Sequence, residues 1–113
     1  MKVLNVAACA LTGLACLATP AFADAITVRG KVTVAQGHVG PSCRMVQLRR
    51  ADDGTYTWFR ITATGQEDGI LATALTALAT GLDVDINYDP AVSSGCGAEP
   101  RIAYISLRAP GAP

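Results

Sequence analysis

The sequence predicts an all-β domain carrying a single helix, in the order strand, strand, strand, helix, strand, strand. Three observations predict it. Apolar residues recur at every second position in several short stretches, the period of a strand with one buried face. The stretch 68–80 switches to helical spacing. Clusters of Gly, Pro and Asp-Gly separate the stretches. At 113 residues the chain has room for one small domain.

The chain opens with Met1-Lys2-Val3-Leu4 and an almost unbroken apolar run to Leu17, then Pro20 and Ala21-Phe22-Ala23. A positive start, an apolar stretch and a small-x-small site read as a cleavable export signal over residues 1–23. A membrane span needs about 20 uninterrupted apolar residues, and Pro20 interrupts this run. Asp24, not Cys, follows the cut, which argues against a lipid anchor. Removal of residues 1–23 leaves a 90-residue domain, 24–113, in which Cys43 and Cys96 are the remaining cysteines. In an oxidising compartment they allow one pairing, and free thiols are the poorer reading.

Ile26, Val28, Gly30, Val32 and Val34 alternate with Thr27, Arg29, Lys31 and Thr33, a half-buried first strand. Gly37-His38-Val39-Gly40-Pro41-Ser42 ends it. The second strand runs from Cys43 to Arg50, and Ala51-Asp52-Asp53-Gly54 forms a hairpin turn, because Asp-Gly suits positive φ. Thr55 to Ala63 is the third strand, with Phe59, Ile61 and Ala63 on one face and Tyr56, Trp58 and Arg60 on the other. In the helix, Leu71, Leu75 and Leu78 make an i, i+4, i+7 stripe expected to face the core, with Ala at the remaining core-side positions so that the helix lies close to the sheet. Glu67 and Asp68 suit its positive N-terminus, and Gly81 is placed to stop it. Leu82, Val84, Ile86 and Tyr88 alternate with Asp83, Asp85, Asn87 and Asp89 in a fourth strand with an acidic face. After a loop containing Gly95, Cys96 and Gly97 comes the fifth strand, Arg101 to Leu107, and a Pro/Gly tail. This is the element order of the OB-fold, a five-stranded Greek-key barrel with a helix between strands three and four. In it the helix plugs one end, and a Cys43–Cys96 disulfide ties the start of strand two to the loop before strand five.

Composition excludes more than it selects. Nine Lys and Arg balance nine Asp and Glu, which speaks against a nucleic-acid binder working through phosphate neutralisation. The apolar fraction of 50% speaks against disorder. Asp83-x-Asp85-x-Asn87-x-Asp89 resembles the start of a calcium loop, but Tyr88 and Ser94 stand where an EF-hand needs Gly and Glu. A solvated face is the reading, with a weak cation site the alternative. His38, the single histidine, reads as an exposed loop residue, and no serine lies in a nucleophile elbow. No catalytic constellation, metal-ligand set or cofactor motif stands out, so the chain is expected not to be an enzyme. The candidate ligand-binding residues are Tyr56, Trp58 and Arg60 on the outer face of strand three, with Arg44 near them if the hairpin register is simple. OB-folds bind oligomeric ligands on the strand 2–3 face, and Trp and Tyr stack on sugars. A protein interface or packing is the other reading of the same residues.

Taken together, the export signal, the Gly-rich loop, Cys43 opening strand two, the Ala/Leu helix ending in Ala79-Thr80-Gly81, the strand Leu82-Asp83-Val84-Asp85-Ile86, and Cys96 before Arg101-Ile102-Ala103-Tyr104-Ile105-Ser106-Leu107 resemble the small secreted bacterial OB-fold proteins of the AB5 toxin B subunit kind, the subtilase-cytotoxin B subunits in particular. The resemblance spans most of residues 24–113. It implies a homo-oligomer, a pentameric ring, that binds host glycans and works with a secreted catalytic subunit. None of that family's glycan-contacting residues maps onto a position here. The expectation is therefore a secreted or periplasmic bacterial binding module for glycans. The alternative is a solitary periplasmic OB-fold protein with a structural or envelope-stress role.

Overall fold

The computed structural model describes residues 25–38, 43–65 and 67–113. The export signal read over 1–23 lies outside them, as does 39–42 of the Gly-rich loop. The elements come in the expected order: β1 (Ile26–Gln36), β2 (Arg44–Arg50), β3 (Tyr56–Ile61), α1 (Asp68–Thr80), β4 (Asp83–Tyr88) and β5 (Ile102–Leu107). The strands form one sheet in the order β3-β2-β1-β4-β5, each neighbouring pair antiparallel. β1 takes the centre because its 11 residues serve two partners: Ile26–Lys31 pairs with β4, and Gly30–Gln36 with β2. The edge strands β3 and β5 meet at one parallel bridge, Arg60 to Arg101, where the Arg60 N–H donates to the Pro100 carbonyl at 2.8 Å. The architecture is thus a mostly β, five-stranded antiparallel sheet with one helix. The sheet is not closed, where the element order led to the expectation of a barrel. Among the described residues no helix is long and apolar enough to cross a membrane.

The core is the inward set of strand side chains: Val28 and Val32 of β1, Val46 and Leu48 of β2, Phe59 and Ile61 of β3, Val84 and Ile86 of β4, and Ile102 of β5, joined by Ala74 and Ala77 of the helix. Tyr88 meets the Phe59 ring edge-on, with centroids 5.0 Å apart, a geometry that aligns the positive rim of one ring with the negative face of the other. The even alternation read for β1 breaks after Val32. A bulge shifts the register, so that Val34 lies opposite Gln47 and Ala35 opposite Val46. Two consecutive residues then share the outward side. Val34 therefore leaves the Val28–Val32 face, and Ala35 replaces it. β3 also ends at Ile61, before Ala63, which is exposed.

The helix has the expected bounds, and Gly81 terminates it at φ 72° with its N–H on the Ala77 carbonyl at 2.9 Å. Its buried stripe is a correction. Leu75 and Leu78 are 47% and 40% exposed, and Leu71 is half-buried; Ala74 and Ala77 are the buried residues, with Ile70 partly buried beside them. The sequence carries two stripes of identical spacing offset by one residue, Ile70–Ala74–Ala77 and Leu71–Leu75–Leu78. A helix that packs close on β1 and β5 turns its small stripe inward, because methyl groups permit an approach that isobutyl groups do not.

The acidic face of β4 is matched by the basic face of β1. Arg29 donates to both Asp85 oxygens, at 2.7 and 3.0 Å, and Arg108 stands 3.5 Å away. Lys31 bonds Asp83 at 2.8 Å, and the Asn87 amide donates to the Thr27 hydroxyl at 3.1 Å. The Arg29 hydrogen bonds hold the Asp85 carboxyl below its ordinary range against the opposing effect of burial. Asp83, Asp85 and Asn87 of the calcium-like spacing are therefore cross-strand partners for β1, while Asp89, past the end of β4, accepts from the Ala91 N–H at 2.9 Å.

Candidate functional site

The outer face of the β2–β3 hairpin takes its form from its turn. Asp53 Oδ1 accepts from the Thr55 N–H and hydroxyl at 2.9 and 2.7 Å, and Gly54 adopts φ 75°. The Arg50 N–H donates to the Thr55 carbonyl at 2.8 Å, and the Gly54 N–H to the Arg50 carbonyl at 3.0 Å. Arg50 also bonds Asp52 and holds its carboxyl at about 2. This turn fixes the register: Tyr56 stands opposite Arg49, Trp58 opposite Gln47, and Arg60 opposite Met45. Because side chains alternate along a strand, these six share one face.

Of the four candidate ligand residues, two remain open on that face. Tyr56 is 58% exposed and Trp58 is half-buried. Arg44 pairs with Ile61, on the opposite side of the sheet from Tyr56, Trp58 and Arg60. There it stands 3.6 Å from Asp68 and donates to the Thr62 carbonyl at 3.4 Å, so it joins β2 to the start of α1. The expectation that Arg44 sits beside the triplet is corrected by one step of register, since one residue along a strand reverses the face. Arg60 does share the face with Trp58, but its side chain is only 11% exposed. Its Nε donates to Glu99 Oε1 at 2.9 Å, a bond that lowers the Glu99 pKa. Gly97 lies against the same guanidinium: a Cβ there would fall 3.0 Å from Arg60 Nη2.

A disulfide between Cys43 and Cys96 anchors this cover, as the cysteine arithmetic predicts. It fastens the loop before β5 to the residue before β2, next to the Arg60 end of the hairpin face. Cys43 is buried, and the Ser94 hydroxyl accepts from the Cys96 N–H at 3.3 Å.

Gln47 and Arg49 complete the open face, and the sequence reading did not single them out. The signal was available: they alternate with the inward Val46 and Leu48, and counting back from the Asp-Gly turn places them beside Trp58 and Tyr56. Gln47 Oε1 accepts from the Thr33 hydroxyl at 2.9 Å, which orients its amide. Arg49 is exposed and, among the described residues, has no carboxylate within ion-pair distance, unlike Arg29, Arg44, Arg50, Arg60 and Arg108. His38 is exposed, with Nε2 3.3 Å from Gln36 Oε1.

The site is thus a surface with two aromatic rings, a primary amide and an uncommitted guanidinium. Rings offer flat apolar faces, and the polar groups supply directional hydrogen bonds. Compared with models of known protein families and with curated proteins, the chain matches none.

Proposed function

We propose that this chain is an exported, non-enzymatic glycan-binding module on an OB-fold-like barrel, similar to the B subunits of subtilase-type AB5 toxins. The observation that carries the reading is the pairing of Tyr56 and Trp58 with Arg49 and Gln47 on one open face of β2 and β3. Pyranose rings have one face lined by C–H groups and a rim of hydroxyls. They suit a surface that stacks with its rings and donates from its edges. The strand order, the helix between β3 and β4, and the single parallel contact of β3 with β5 support an OB-fold reading, since such barrels are often partly open. The disulfide supports an oxidising compartment.

Trp58→Ala tests the reading. On a glycan array it is expected to lose more than tenfold of the wild-type signal, about 1.4 kcal/mol of binding, while thermal unfolding shows that the domain still folds. Unchanged binding by the variant, or a wild-type protein that binds no glycan, overturns it.

The AB5-like reading also implies association of copies, and the exposed face of α1 supports it. Ala72, Leu75, Thr76, Leu78, Ala79 and Thr80 are exposed there, and none carries a charge. Thr73, Thr76 and Thr80 donate their hydroxyls to the carbonyls of Gly69, Ala72 and Thr76 at 2.7–2.8 Å. That face can be covered with little loss of hydration. Light scattering on residues 24–113 at high micromolar concentration is expected to give a multiple of the monomer mass. A monomer mass removes the ring.

A further inference from the structure

Lys31 is an outward residue of β1, and the register sets it directly opposite Arg49 of β2 on one side and Asp83 of β4 on the other. Like charges directly opposite each other destabilise an antiparallel pair, so Lys31 and Arg49 together work against the fold. The Lys31 ammonium donates to Asp83 Oδ1 at 2.8 Å and to the Gly81 carbonyl, at the C-terminal end of α1, at 2.7 Å. Those bonds fix the nitrogen and leave one of its N–H groups over. Arg49 is held by nothing comparable: among the described residues no carboxylate reaches its guanidinium. The guanidiniums around it are committed, Arg29 to Asp85 and Arg50 to Asp52 and Asp53. Lys31 and Arg49 open on a cavity of about 330 Å³, which Arg50, Asp83 and the turn residues Ala51 and Gly54 also line. It lies on the β1 side of Arg49, and neither Tyr56 nor Trp58 borders it.

We propose that this cavity binds a phosphate monoester, with the phosphate held between Arg49 and Lys31. A guanidinium offers parallel N–H groups that take two oxygens lying in one plane. A carboxylate spends both of its oxygens on that fork and has none left for a donor on the next strand. A tetrahedral phosphate keeps an oxygen out of the plane for the Lys31 ammonium, and its charge of about −1.5 to −2 at pH 7 answers both cations. Directly opposed side chains start about 5 Å apart, a separation that two long side chains can close around one phosphate. The cavity volume falls at the small end of the range of about 300–1,000 Å³ for small-molecule sites, so it admits an organic part as well. Lys31 takes one Asp83 oxygen. The other is left to accept from a hydroxyl next to the phosphate, which favours the ester of a polyol over inorganic phosphate.

The test titrates the intact protein, at constant ionic strength, with inorganic phosphate, glycerol 3-phosphate and acetate, and follows the side-chain N–H resonances of its arginines. Both phosphates are expected to move the Arg49 Nε–H signal along a saturating curve while those of Arg29 and Arg108 stay in place. Glycerol 3-phosphate should bind several-fold more tightly than inorganic phosphate, and acetate several-fold more weakly. Arg49 holds no ion pair, so Arg49→Gln leaves the fold intact; it is expected to weaken glycerol 3-phosphate about tenfold or more, the scale of a charged hydrogen-bonded contact. Arg49→Lys keeps the charge without the fork and should lose most of the same affinity. Lys31→Gln is expected to weaken binding several-fold, with thermal unfolding reporting whether loss of the Asp83 pair harms the fold; if it does, the two Arg49 variants decide. No saturating shift, acetate binding as well as phosphate, or affinity unchanged in Arg49→Gln overturns the site. Sedimentation with phosphatidylcholine vesicles, made with and without phosphatidic acid, separates the sources of the ester. Sedimentation only with phosphatidic acid, lost in Arg49→Gln, supports the site with a lipid headgroup as its ligand. Binding of glycerol 3-phosphate without sedimentation supports it with a soluble one.

Discussion

Replacing both cysteines, Cys43→Ser with Cys96→Ser, is expected to lower the unfolding free energy by about 4 kcal/mol. The bond closes a loop with a sequence separation of 53. In the chain-entropy model a closure of that length removes about 4 kcal/mol of freedom from the unfolded chain. The folded state loses as well, since the bond anchors the segment that covers Arg60. A small domain has only about 5–15 kcal/mol of stability to begin with, so the variant should unfold at much lower urea. Urea titrations of oxidised wild type and the double variant measure the difference. A loss below about 1 kcal/mol means the covering loop is held by Arg60, Glu99 and the Pro100 carbonyl without help from the bond.

The strands were legible because each carries its own period and its own punctuation. Val28, Val32, Val46, Leu48, Phe59, Ile61, Val84 and Ile86 were all readable as inward residues, and all are in the core. Two features were not. The bulge after Val32 has no local signature in Thr33-Val34; it arises because β1 must serve β4 and β2 at once. The helix face was ambiguous because two stripes share one spacing, and hydrophobicity favours the leucines. What decides is how near the helix comes to the sheet, a tertiary distance that no local pattern encodes. Closure is equally non-local, because it depends on how far β5 continues beside β3 after Arg60 and Arg101.

The candidate binding face was half legible for the same kind of reason. Tyr56 and Trp58 follow from alternation within one strand. Gln47 and Arg49 needed the register between two strands, which the Asp53-Gly54 turn fixes. Arg44 fails by one residue of that register. Arg60 has the right parity, yet its exposure is removed by a loop about 40 residues farther along the chain, drawn over it by a disulfide and by Glu99.

Alanine at two glycines should move stability in opposite directions, and the larger effect is at Gly30. Gly30 sits where β1 passes from β4 to β2, paired with Arg50 on one side and Val84 on the other. A Cβ there would lie 2.1 Å from the backbone oxygen of Arg49 and 3.0 Å from the Leu48 side chain. The first contact is far inside van der Waals distance, and a backbone oxygen in the sheet cannot rotate away as a side chain can. β2 must move instead, disturbing the pairing that carries Leu48 and Arg49. Overpacking a well-filled interior costs about 1–3 kcal/mol, occasionally more, and Gly30→Ala is expected at or above the top of that range. Gly69 is the contrast. It lies in the first turn of α1, is exposed, and a Cβ there meets nothing within 4 Å. Gly69→Ala exchanges a poor helix former for the best one and should stabilise by up to about 1 kcal/mol. Neither substitution removes the disulfide or a side-chain hydrogen-bonding group, so chemical denaturation of the two against wild type reads the backbone contact. A Gly30→Ala protein as stable as wild type would show that β1 and β2 do not approach this closely, and the pairing of Gly30 with Arg50 would fall with it.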